Sequence, residues 1–367
     1  VAALKLFFAL GLLLATVAAH AFPSDAEVRE MLRQRVEVSK RGVGLVVALV
    51  DASGTRIVAY GHARRGNDEL VTGDSVFELG SVTKVFTSLL LADMVEKGEV
   101  KLHDPIALYV PKSVKSPRVQ DITLLHLSRH TSGLPSWPDN LQPADPVHYA
   151  DGYTNALLFD FLNGYTTRRT VGTQHSYSNY GAALLGEVLA LRAGTDFESA
   201  LRSRVFEPLG MKSTGFALTP LLRSAHALGH TDRGKPIPLG DVRGMLGSGA
   251  LHSSANDLAR FVEANLGLRE SGLAAAMHAT HSTDADRQLP DLPMGLGWFQ
   301  VRLGDTRVTY HNGATIGFRA YVGMDLERRR GVVVLANSND DPTNLGNHLL
   351  EPYIPLYQPD PPRELTQ

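Results

Sequence analysis

Ser81-Val82-Thr83-Lys84 puts a hydroxyl and an amine three residues apart, at the start of a stretch whose apolar spacing predicts a helix over Val82 to Lys97. Positions i and i+3 of a helix share a face, so the two side chains can meet. A serine hydroxyl is a weak nucleophile until a base takes its proton, and a buried lysine has its pKa lowered far enough to serve as that base. A helix start also offers backbone N–H groups and positive potential to a developing oxyanion. Ser-x-x-Lys is expected about once by chance at this length, and a serine N-cap beside a solvated lysine would account for it as well. Only one such tetrapeptide occurs in the sequence.

Two further patterns carry chemistry. Tyr177-Ser178-Asn179 leads into a helical run, Tyr180 to Ala193. A phenol beside a lysine can pass a proton between serine and leaving group, and the Asn179 amide can hold both the lysine and a substrate carbonyl. Tyr-x-Asn also occurs at Tyr153 and at Tyr310, each also readable as a surface tyrosine beside an asparagine cap; the Gly172-Thr173-Gln174 lead-in and the strong helix that follows favour Tyr177. The second pattern, His311-Asn312-Gly313, ends a predicted strand and is followed by Ala314. A small residue there lets a substrate backbone lie against the strand, and the N–H groups of Ser81 and Ala314 would form an oxyanion pair. By itself the tripeptide reads better as an ordinary hairpin turn with Asn-Gly at its tip.

Composition removes other chemistries. The 367 residues contain no cysteine, which excludes thiol nucleophiles, disulfide frameworks and thiolate metal sites. A net charge of -2 gives no basic footprint for nucleic acid. There is no Gly-x-Ser-x-Gly elbow and no His-Glu-x-x-His. His126 and His130 have the i,i+4 spacing of metal ligands, but are expected to cap and pack a helix end.

The elements that must position these residues alternate in character along the chain. Asp25 to Lys40 reads as an amphipathic helix, and Gly44–Val50 and Thr55–Tyr60 as a hairpin about Asp51–Gly54. Helical segments dominate residues 100–290, including Ile122–Arg129, Ala156–Leu162 and Ala255–Leu266. Strand signals return at Leu296–Val301, Arg307–Tyr310, Phe318–Met324 and Val332–Asn337, before a last helix over Thr343–Tyr353. The pattern predicts an α+β fold in which strands from both chain ends share one antiparallel sheet flanked by the terminal helices, beside an all-helical lobe. Lys5, the apolar run Leu6–Ala19 and Ala19-His20-Ala21 predict a signal peptide over residues 1–21, and hence a secreted or periplasmic protein with no membrane span after its removal. One domain is expected over 22–357 and a Pro-rich tail over 358–367.

In combination, Phe77-Glu78-Leu79-Gly80-Ser81-Val82-Thr83-Lys84, Tyr177-Ser178-Asn179 and the late His311-Asn312-Gly313 resemble the class C β-lactamase family, which includes D-alanyl-D-alanine peptidases and related esterases. Ile122–Leu127, Arg204–Leu209, Gly295–Trp298 and Val332–Asn337 look like family segments in the right order, so the resemblance covers roughly residues 30 to 355. It implies a β-lactamase/transpeptidase-like fold with the serine in a cleft between lobes. It also implies an acyl-enzyme on Ser81, Lys84 and Tyr177 as acid–base pair, Asn179 as orienting amide, and Ser81 and Ala314 as oxyanion donors. No metal or organic cofactor is implied. The substrate would be a β-lactam, a cell-wall peptide or an ester; a small-ester esterase and a penicillin-binding sensor that stalls after acylation are the alternatives. One departure stands out: His311 occupies the place of the lysine that class C β-lactamases usually carry. An unperturbed histidine is roughly one-quarter protonated at pH 7, which predicts weaker binding of a substrate carboxylate, with Arg319 as the candidate second cation.

Overall fold

A computed structural model describes residues 21–142, 150–166, 169–239, 244–283 and 293–357. Residues 1–20 of the expected leader and the tail from 358 lie outside the described residues.

Strands β1 (Gly44–Asp51) and β2 (Gly54–Gly61) form the expected hairpin, Asp51 opposite Gly54. Three short strands follow as β3 (Val76–Glu78), β4 (Gly229–His230) and β5 (Pro236–Ile237), then β6 (His252–Ser254). The last four are β7 (Phe299–Leu303), β8 (Thr306–Thr315), β9 (Phe318–Asp325) and β10 (Arg330–Ala336). The main sheet runs in the order β2-β1-β10-β9-β8-β7 and is antiparallel throughout. Strands from opposite ends of the chain therefore meet at its centre, Val47 opposite Val334.

Both faces of that sheet are covered, which is why β1 and β10 read as unbroken apolar runs rather than alternating ones. On one face Leu45, Val47, Val332 and Val334 pack against Val28 and Leu32 of α1 (Asp25–Arg33) and against Leu345 and Leu349 of the last helix, Thr343–Leu350. The capping box between Ser24 and Glu27 fixes the start of α1. The other face, with Val46, Ala48, Val333 and Leu335, joins the helical part of the chain in one continuous core.

Helices α2 (Thr83–Glu96), α3 (Leu124–Ser128), α4 (Asn155–Gly164) and α5 (Asn179–Ala193) build most of that part. The single turn α6 (Leu246–Gly249) packs on both α2 and α5, and α7 (Ala255–Asn265) lies against β1 and β10. Sequence periodicity gave α2 one apolar side, yet every residue from Thr83 to Met94 is buried. A helix buried on all sides belongs in the interior, and α2 packs against α3, α5 and α6. Among the described residues no helix is long and apolar enough to cross a membrane.

The α+β architecture matches expectation, with shifts at three ends. Strand β8 continues through His311, Asn312 and Gly313 to Thr315, so the chain reverses at Ile316-Gly317, not at Asn312-Gly313. The first helix passes at Gln34 into a π turn, Gln34–Val38. The last helix ends at Leu350 because Pro352 restricts the preceding residue to extended backbone, and Glu351 has ψ 94.

That π turn carries Arg35, whose Nη1 lies 2.8 Å from Asp340 Oδ2, with both side chains almost wholly buried. Removing one partner would strand a buried charge. Arg35→Ala is therefore expected to lower stability by about 3–5 kcal/mol, and Arg35→Met combined with Asp340→Leu to recover most of it, measured by urea unfolding.

Candidate active site

Ser81 lies where two backbones touch. Strand β3 pairs with β6, Leu79 N–H extends that pairing to Leu251 O at 2.8 Å, and the chain then turns sharply at Gly80, φ +50. A 3-10 turn over Gly80–Val82 leads directly into α2, and Thr83 Oγ1 clamps it by donating to Gly80 O at 2.7 Å. The turn rests on β8. A side chain at Gly80 would meet Ala314 N at 2.6 Å, and one at Gly313 would overlap Leu79 O. Thr315 and Phe318 close a two-residue hairpin, so ladder alternation leaves Ala314 N–H outside the β8–β9 bonds and on the edge the Ser81 turn occupies.

Lys84 Nζ is 3.0 Å from Ser81 Oγ, 2.7 Å from Asn179 Oδ1 and 2.6 Å from Ser248 O. The side chain is fully buried, and burial pulls its pKa well below the ordinary lysine value. A neutral amine has two hydrogens and one lone pair. Asn179 Oδ1 and Ser248 O only accept, so they take the two hydrogens and the lone pair is left for the Ser81 hydroxyl.

The Tyr177 ring lies 4.8 Å from Lys84 Nζ. Tyr177 precedes the N-cap of α5, where Ser178 Oγ accepts from Gly181 N–H and donates to Pro135 O. Asn179 N–H and Tyr180 N–H both donate to Ser136 O, and Asn179 Nδ2 donates to Ser136 Oγ. The 130–136 segment thus straps the start of α5 against α2. The other two Tyr-x-Asn matches lie elsewhere: Tyr153 donates to Asn140, and Tyr310 stacks on Tyr321 with the outer core.

Ser81, Tyr177, Phe299, His311, Asn312, Gly313, Ala314, Arg319 and Asp341 enclose a cavity of about 370 Å³. Every sequence-selected residue except Lys84 and Asn179 borders it, and those two lie one layer behind the hydroxyl. Asn312 contributes backbone, since its amide turns away to donate to Thr343 Oγ1. Arg319 Nη1 donates to Thr315 O and Phe318 O, which fixes the guanidinium at the hairpin end.

His311 departs from expectation. It is not a half-solvated, titrating cation: it is buried, and desolvation together with nearby Lys84 pushes its pKa down to about 3. Its Nδ1 faces Asn312 O at 2.6 Å and so carries the proton, while Nε2 has no protein partner. His311 is a neutral imidazole at pH 7. His126 acts as foreseen, its Nδ1 closing a capping box with Thr123.

No residue-type signal marks Ser248, whose contribution is a backbone carbonyl, or the Phe299 wall. Among the described residues no group of three or more His, Asp or Glu is arranged to hold a metal ion.

The arrangement can generate a nucleophile, stabilise an oxyanion and move a proton, and known proteins share the frame. The family model described as Beta-lactamase matches residues 28–350. A β-lactamase of Escherichia coli K12 is 28% identical across 89% of this chain and 93% of its own. The D-alanyl-D-alanine-carboxypeptidase/endopeptidase AmpH of the same organism is 28% identical across 80% and 78%. Among solved structures, a class C β-lactamase from Rhodobacter sphaeroides superposes with TM-score 0.76 at 24% identity, covering 90% of this chain and 99% of that one.

The contact at Gly313 gives a test. Gly313→Ala is expected to destabilise the protein by about 1–3 kcal/mol through overpacking. By displacing the Ser81 turn from Ala314 it should also lower kcat/KM about 100-fold. Thermal melts and steady-state rates on one preparation would check both.

Proposed function

The chain belongs to the beta-lactamase family, and from that membership in a family of serine hydrolases we propose that it opens β-lactam or D-alanyl-D-alanine-type amide bonds through an acyl-enzyme on Ser81. The observation that carries this is buried Lys84, with Nζ 3.0 Å from Ser81 Oγ and its other two partners, Asn179 Oδ1 and Ser248 O, both acceptors, while burial pulls its pKa well down.

In this reading Ser81 Oγ adds to the carbonyl carbon as its proton passes to Lys84. The negative oxygen is met by the N–H groups of Ser81 and Ala314. Tyr177 relays the proton to the leaving nitrogen, the C–N bond breaks, and an ester to Ser81 remains. Water then adds to that ester, giving its proton to the same Lys84–Tyr177 pair, and releases the acid and free Ser81. Asn179 keeps the lysine oriented through both halves. The relatives are named for β-lactam and D-alanyl-D-alanine cleavage, so neither the small-ester nor the stalled-sensor alternative is favoured. Export rests on the Leu6–Ala19 run and the small residues after it.

Such substrates carry a carboxylate, and with His311 neutral the cation facing the cavity is Arg319. Burial lowers its pKa, but from so high a starting value that the guanidinium stays charged.

Incubation with a fluorophosphonate or a penicillin should add mass at Ser81, and Ser81→Ala should abolish the adduct. A chain that never acylates, or acylates without Ser81, would overturn the proposal. Rates on nitrocefin, a D-Ala-D-Ala peptide and a short-chain ester would then rank the leaving groups.

The state of His311 sets the pH dependence. KM for an anionic substrate should stay flat from about pH 5 to 8, because no imidazole charge is lost in that window. Arg319→Gln should raise KM about 10-fold or more for that substrate and leave a neutral ester unaffected, as removal of a charge-assisted contact requires. A KM that climbs through pH 6 to 7 would return the binding charge to His311.

A further inference from the structure

His130 immediately follows the C-cap of α3 in left-handed backbone, φ +55, a position that favours glycine because a Cβ crowds the carbonyl there. A side chain kept at such a place calls for a reason. The imidazole is 2% exposed, and its ring centroid lies 4.4 Å from that of Tyr177, tilted by 42°. Its Nδ1 accepts the N–H of Ser178 at 3.2 Å, and its carbonyl oxygen accepts the N–H of Ser176 at 2.7 Å. One residue thus grips the backbone on both sides of Tyr177 and covers the face of its ring.

We infer that His130 is a positioning residue, which fixes Tyr177 against Lys84 and keeps water from the space behind the pair. The inference rests on the Ser81–Lys84–Tyr177 reading above. It acts through Tyr177 and need not touch substrate.

The grip requires a neutral ring. Since Nδ1 accepts from Ser178, the ring proton sits on Nε2, and a second proton on Nδ1 would break the bond to Ser178. The groups facing the ring are Tyr177, Lys84, His175 and His311, with Arg129 beside it in the chain. None of these is a carboxylate. Burial, with Lys84, His175 and His311 adding to it, holds the His130 pKa well below its ordinary value. Burial thus disfavours charge on both imidazole and lysine, and a proton on either would further oppose one on the other.

Two variants of the full chain separate positioning from mere packing. His130→Gly relieves the left-handed backbone but removes ring and acceptor. His130→Asn tolerates the same backbone and returns an acceptor for Ser178 N–H. For His130→Gly, kcat should fall about 100-fold with little change in KM, the size of effect that a small misplacement of a proton relay produces. Water admitted beside Lys84 should raise its pKa and move the acid limb of kcat/KM upward by about one pH unit. His130→Asn should recover part of kcat, and added imidazole should partly rescue the glycine variant alone. The inference is overturned if the pH profiles of both variants superimpose on the wild type, or if activity loss only tracks the unfolded fraction by circular dichroism. It is equally overturned if asparagine does no better than glycine. Should glycine prevent folding, the asparagine pH profile decides alone. A wild-type chain that fails to acylate Ser81 refutes the underlying reading, whereas normal acylation with unshifted variants refutes only this step.

Discussion

An amine taken out of water and held between two carbonyl oxygens sets the terms for the structure around it. A charged Lys84 would face a desolvation penalty of several kcal/mol with no carboxylate to offset it. The neutral form avoids that penalty and is the form that can take a proton. Keeping it neutral demands a dry environment, and the burial of α2 on every side supplies one. Once the helix is interior, its other polar groups also need partners. Thr87 finds Gly247 O, and Ser88 finds Ser128. Both partners come from segments remote in sequence, so the burial that lowers the Lys84 pKa also ties α2 to α3 and α6.

A second constraint runs between the sheet and the helices. The Ser81 turn and β8 approach so closely that neither Gly80 nor Gly313 has room for a side chain. That contact brings Ala314 N–H alongside Ser81. The proposed nucleophile comes from the helical side and the proposed second oxyanion donor from the sheet, and neither could be shifted without the other. Strand β8 in turn owes its place to β9 and to β10, the latter pinned at the centre of the sheet by β1. The order of strands therefore fixes the distance between two N–H groups.

Much of this was legible in the sequence, and the boundary is physical. Apolar runs near both ends announced a shared sheet, and Ser81, Lys84, Tyr177 and Asn179 announced themselves through side-chain type and spacing. What a sequence conceals is backbone and burial. Ser248 serves by its carbonyl, which every residue possesses, so no letter marks it. Asn312-Gly313 has the composition of a turn, yet pairing with Tyr321 and Ala320 holds it in a strand, because tertiary ladder bonds outweigh local preference. His130 looked like a helix-end residue and is one. Only the fold reveals that the helix end abuts Tyr177.

His311 shows why residue type alone misleads about charge. The same imidazole that would be about one-quarter protonated in water is neutral here, because burial and the neighbouring lysine both oppose a second proton. A charged lysine in its place would oppose any proton that Lys84 takes up, just as Lys84 opposes a proton on His311. A neutral imidazole adds no such repulsion, so Lys84 could cycle between amine and ammonium in the proposed reaction. Arg319 keeps its charge at the hairpin end, where Thr315 O and Phe318 O hold the guanidinium, and that makes it the proposed partner of a substrate carboxylate. In the proposed reading the histidine at 311 leaves base and substrate cation on separate residues, and their separation would set how far a substrate's carboxylate lies from its scissile bond.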